Sequence, residues 1–163
     1  MIGSMVALAL FGGLFHRTPP ANAPVQTFQV QGWTAEVKTD GFNGAVSCRL
    51  KAPRVTVAHG AARFDFGRWT NTSAAEYRID DAPARTGRAA MNDVAMLGVR
   101  TISSNASNPS NGLVHIPVVE LANASAVAIR PAPGARARTF PVAGLKAALD
   151  AEAQRGCDLA RAY

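Results

Sequence analysis

The sequence predicts a mainly β fold: an antiparallel β-sandwich, Ig-like or jelly-roll-like, with one C-terminal α-helix packed on it. Three observations carry that expectation. Short segments alternate polar and apolar residues with period two, turn residues punctuate them at close spacing, and a run of helix formers lies near the end of the chain.

Taken in order, residues 27–31 (TFQVQ) alternate, and the parity switches at Gly32, after which Trp33, Ala35 and Val37 hold the apolar side. A glycine at such a switch predicts a bulge or bend. Residues 40–44 (DGFNG) carry the Asp-Gly and Asn-Gly pairs of a tight turn. In residues 46–52, Val46, Cys48 and Leu50 share the inward face, opposite Ser47, Arg49 and Lys51. Val55 and Val57 repeat the pattern, followed by Ala62, Phe64 and Phe66 against Arg63 and Asp65. Residues 76–80 (EYRID) alternate again, and Asp81-Ala82-Pro83 turns the chain. Residues 103–112 (SSNASNPSNG) have no periodicity and read as a long exposed loop. Residues 116–121 and 126–129 read as strands joined by a short helical or turn segment near 121–124. Residues 131–134 (PAPG) turn the chain, and residues 139–142 return it. Residues 144–155 are rich in helix formers; Val142, Leu145, Leu149 and Ala153 mark a narrow apolar stripe, and Gly156 is the stop.

The composition suits one domain, placed at residues 24–163: 48% of the 163 residues are hydrophobic, enough for a core, and only 17% are charged. The chain contains no run of about 18 apolar residues, so no membrane-spanning helix is expected. It also lacks a Walker loop, a Rossmann glycine fingerprint, a HExxH and a CxxC, so no cofactor is implied. The net charge of +6 comes from fourteen arginines and three lysines set against eleven acids. The arginines run from Arg17 to Arg161 and mostly alternate with apolar residues, as on the wet face of a sheet. A nucleic-acid footprint is therefore not expected, and the domain is read as a monomer.

Residues 1–23 read as a signal peptide. The apolar stretch 5–15 (MVALALFGGLF) would make a helix of about 17 Å, the size of a signal-peptide hydrophobic region. Ala21-Asn22-Ala23 has the shape that signal peptidase accepts. No basic residue precedes the stretch and Pro24 follows the expected cut, so an uncleaved anchor is the alternative. The expected location is the periplasm or the exterior.

Cys48 and Cys157 are the only cysteines. In an exported chain, two cysteines imply one disulfide, which here would pin the C-terminal helix to the sheet. His59, His115 and the pair Asp80-Asp81 are the acid–base material. No serine sits in a G-x-S-x-G elbow, and the histidines lack metal-ligand spacing, so neither a catalytic group nor a metal site is expected. Asp80-Asp81 is read as a turn with an arginine contact. A periplasmic hydrolase using His59 or His115 with Asp80 or Asp81 is the rival reading. Arg130, Arg136 and Arg138 flank the Pro-Ala-Pro-Gly turn and are the candidate anion- or partner-binding residues. Trp33, Trp69 and Tyr77 are assigned to the core.

Residues 75–83 (AEYRIDDAP), 121–129 (LANASAVAI) and 140–149 (FPVAGLKAAL), the last running on to Cys157, form an ordered set. The set resembles small exported bacterial proteins of two kinds, the type VI secretion-associated periplasmic family and the invasion-associated locus B family. The resemblance spans roughly residues 33–157 and rests on few positions. It implies a periplasmic β-sandwich that acts through envelope contacts. The locus B pattern carries further mid-chain cysteines that this chain lacks between Arg88 and Ser107, and the resemblance supplies no catalytic residues.

Overall fold

The computed structural model describes residues 25–87 and 112–159. The expected signal segment 1–23 and nearly all of the expected loop 103–112 lie outside the described residues. Ten strands and two helices are described: β1 (Gln26–Val30), β2 (Trp33–Thr39), β3 (Val46–Ala52), β4 (Val55–Ala58), β5 (Ala61–Asp65), β6 (Glu76–Ile79), β7 (Arg85–Thr86), β8 (Leu113–Pro117), α1 (Val118–Leu121), β9 (Ala126–Arg130), β10 (Arg138–Pro141) and α2 (Leu145–Ala153).

The strands form two antiparallel sheets, one ordered β1-β2-β3-β4-β5-β8 and the other β10-β9-β6-β7. Trp33, Leu50, Phe64 and Ile116 of the first sheet share one core with Tyr77, Ile129 and Phe140 of the second and with Leu145 of α2. The fold is therefore a β-sandwich with a C-terminal helix on it. In the first sheet, β1 to β5 form a meander of hairpins, so its register is set locally by turns.

Those turns follow backbone chemistry. Gln31 and Gly32 have φ of 46° and 86°, and Val30 pairs with Trp33, so they form a two-residue hairpin loop. The parity switch at Gly32 is thus a hairpin and not the expected bulge, because positive φ at both loop residues matches the strand twist. His59 and Gly60 do the same between β4 and β5, with φ of 50° and 75°. Pro53 and Arg54 link β3 to β4, with Arg54 at φ 61°. In the longer β2–β3 loop, Asp40 Oδ1 accepts from the Phe42 and Asn43 amides, and Asn43 Oδ1 accepts from Ala45.

The expected strand over 116–121 is corrected. The strand occupies Leu113–Pro117, and residues 118–121 form the single turn α1. Pro117 has no amide hydrogen to carry the ladder onward. Glu120 of α1 instead bonds back to the second sheet, accepting from Tyr77 Oη at 3.1 Å and from Arg85 Nη1 at 2.7 Å.

Helix α2 sits against β1 and β2. Trp33 donates its indole N–H to the Ala143 carbonyl at 3.1 Å, and Gly144, at φ 79°, abuts the β1–β2 loop so closely that a Cβ would lie 2.7 Å from Gln31 Cβ. The buried stripe is Leu145, Ala148, Leu149 and Glu152; Ala153, expected inside, is exposed. A stripe at i, i+3, i+4 and i+7 follows the helical repeat, whereas Leu145 to Ala153 rotates off it. Trp69 is also corrected: it is 77% exposed, with the Arg68 guanidinium 4.8 Å over its ring. Val46, expected inward, is 46% exposed because the covered face of β3 begins only farther along the strand.

Candidate functional site

Two places in the fold gather chemistry. The larger is a groove of about 930 Å³. The β3–β4 turn brings Pro53 and Arg54 to one wall, and the hairpin between β9 and β10 brings Arg136 and Arg138 to the other. Phe66 and Phe140 lie at its base, with Phe140 edge-on to Phe66 at 5.5 Å and to Phe64 at 5.2 Å. The Arg138 guanidinium stacks 5.2 Å over the Phe66 ring, a cation–π contact that fixes its position. Among the described residues no carboxylate lines the groove, so none of these neutralises the three guanidinium charges within it.

The structure thus regroups the arginines that the sequence singles out. Arg136 and Arg138 share the groove, whereas Arg130 lies outside it and bonds Glu76 at 3.4 Å. Arg54 takes the third place. It comes from a strand pair about eighty residues away, so no local pattern joins it to the other two. No sequence signal marks Arg54; only the structure shows it, in the left-handed region at φ 61°.

The second place is the end of α2. Cys48 and Cys157 form a disulfide across a separation of 109 residues, with Cα atoms 5.9 Å apart. The path to it is local. Gly156, at φ 83°, sends its amide to the Ala153 carbonyl, while the Cys157 amide returns to the Glu152 carbonyl. This pair of bonds is a Schellman motif, which sets residue Cys157 against Glu152. One Glu152 carboxylate oxygen and both sulfurs lie within 4.8 Å of one another. Glu152 is fully buried, and neither oxygen has a hydrogen-bond partner. Burial pushes its carboxyl pKa up, with Arg155 opposing. Cys48, Glu152 and Cys157 have the chemistry of metal ligands, but in this state the sulfurs are bonded to each other and offer no thiolate.

The acid–base residues are dispersed. His59 is in the β4–β5 turn, and His115 is buried within β8. Asp80, at φ 45°, uses its carboxylate to accept from the Ser125 and Ala126 amides, which ties β6 to β9. Those backbone amides replace the expected arginine contact. Among the described residues neither histidine hydrogen-bonds Asp80 or Asp81.

His115 has a consequence for stability. Burial, and secondarily the Arg63 charge, lower its pKa from 6.5 to about 4, and its Nδ1 is unpartnered. The unfolded chain therefore takes up a proton near pH 6.5 that the folded chain refuses until about pH 4. Stability should be flat above that window and fall as pH drops through it, by up to about 3 kcal/mol. Urea unfolding at pH 7 and pH 4.5 will show it: His115→Leu should lose this part of the acid sensitivity, and an unchanged slope would refute the assignment.

No protein-family model, no curated protein and no solved structure matches the chain.

Proposed function

We propose that the chain is an exported envelope domain that works by binding, and that its groove receives an extended acidic segment of another envelope protein. The observation that carries this reading is the convergence of Arg54, Arg136 and Arg138 around an aromatic base, with no carboxylate among the described residues that line it. Uncompensated guanidinium groups beside apolar surface favour a partner that brings carboxylates on an otherwise apolar or extended backbone. β10 is the terminal strand of its sheet and borders the groove, so such a segment has a strand edge to lie along. The long-range disulfide supports an oxidising location, and the apolar segment 5–15 supports export through a leader.

The test uses a fluorescent peptide of alternating glutamate and phenylalanine. It should bind the oxidised chain, weaken as salt rises, and lose about tenfold or more in affinity for Arg136→Glu/Arg138→Glu. Arg54→Glu should weaken it similarly, and Arg130→Glu should matter least. Equal affinity for all four proteins would overturn the groove. Retention of the chain on phosphatidylglycerol vesicles, with no peptide binding, would replace the acidic protein segment with a lipid surface.

A further inference from the structure

The end of α2 combines three features that a purely structural bridge does not require. Cys48, on the inward face of β3, is only partly buried. Cys157, its partner, is 2% exposed. Glu152 places an unpartnered, fully buried carboxyl group within 4.8 Å of both sulfurs. One end of the bridge is therefore less buried than the other, and a carboxyl group stands beside both sulfurs.

We propose that Cys48, Cys157 and Glu152 form a thiol–disulfide exchange site whose substrates are thiols, with Glu152 as the proton donor to the enclosed sulfur. An incoming thiolate attacks Cys48 Sγ, the less buried of the two sulfurs. A new sulfur–sulfur bond forms between the incoming sulfur and Cys48 while the Cys48–Cys157 bond breaks. The electron pair of that bond leaves on Cys157 Sγ. A thiolate enclosed in apolar surroundings is a poor leaving group, and the proton of the Glu152 carboxyl quenches it as it forms, leaving a carboxylate. Attack of a second thiolate on the mixed disulfide releases the Cys48 thiolate and the oxidised substrate. In sum, two thiols are oxidised to one disulfide, and the bridge is reduced to two thiols. Run in reverse, the Glu152 carboxylate takes the proton from Cys157 so that it attacks a mixed disulfide on Cys48. Burial raises the Glu152 pKa, which favours its protonated form.

The experiment follows reduction of the oxidised full chain by glutathione under native conditions, with acid quench, alkylation and mass analysis. Glu152→Gln keeps the shape and cannot transfer the proton, so its reduction should be at least tenfold slower. Glu152→Asp, which restores a carboxyl, should recover part of the rate. Glutathione trapped early should be on Cys48. Equal rates for the parent and Glu152→Gln, or glutathione on Cys157, would overturn the proposal. So would a reduction rate that equals the urea-extrapolated rate of global unfolding. Should Glu152→Gln fail to fold, the site of glutathione attachment in the unaltered chain still decides.

Discussion

Removing the bridge with Cys48→Ala/Cys157→Ala is expected to lower the unfolding free energy by about 4 kcal/mol. The bridge closes a loop of 109 residues, for which chain entropy alone predicts about 4.7 kcal/mol, and engineered losses run somewhat below that figure. Beyond α2 the bridge, buried Leu159 and a backbone bond from the Gly60 amide to the Leu159 carbonyl at 3.1 Å are among the contacts that hold the tail. Without the sulfur bond that bond joins a fraying terminus. Equilibrium urea unfolding of the parent and double variant, both followed by far-ultraviolet circular dichroism, measures the difference. A loss under about 1 kcal/mol would mean that the unfolded chain is already compact around the two positions.

An effect of similar size is expected at Trp33. Its ring is 2% exposed, and its indole N–H donates to Ala143 just before α2. Trp33→Ala should cost about 3–5 kcal/mol through the cavity it leaves, and Trp33→Phe about 1–3 kcal/mol, chiefly from the orphaned Ala143 carbonyl. The two variants separate packing from the hydrogen bond. If Trp33→Phe matched the parent, the indole contact would not be what seats the helix on the β1–β2 hairpin.

The strands were legible because a half-buried sheet imposes period two, and residues 46–52, 55–58 and 76–79 show it without interruption. The bridge was legible because two cysteines leave one pairing. What escaped the sequence depends on distant partners or on backbone geometry. Gly32 reads alike as a bulge or a hairpin until its neighbour Gln31 is known to take positive φ. Glu152 looks like one more polar residue on a helix, and only the Schellman turn beyond it shows that the side chain is enclosed beside Cys157. The size of Trp69 predicts an inward position, yet it stands at φ 77° in the connection between β5 and β6, outside the layers that bury Trp33 and Tyr77. Of the groove, the hairpin arginines were legible as a cationic cluster. Arg54 was not, since it is the packing of the two sheets that brings the β3–β4 turn opposite them.

Intact-mass analysis of the chain produced in a Gram-negative host, recovered from the periplasm and denatured with an alkylating agent but no reductant, tests the exported, tail-locked domain most directly. The expected species starts at Pro24, is two hydrogens lighter than the dithiol, and takes up no alkyl group. A species that keeps residues 1–23, stays in the cytosol and gains an alkyl group at both Cys48 and Cys157 would contradict the account.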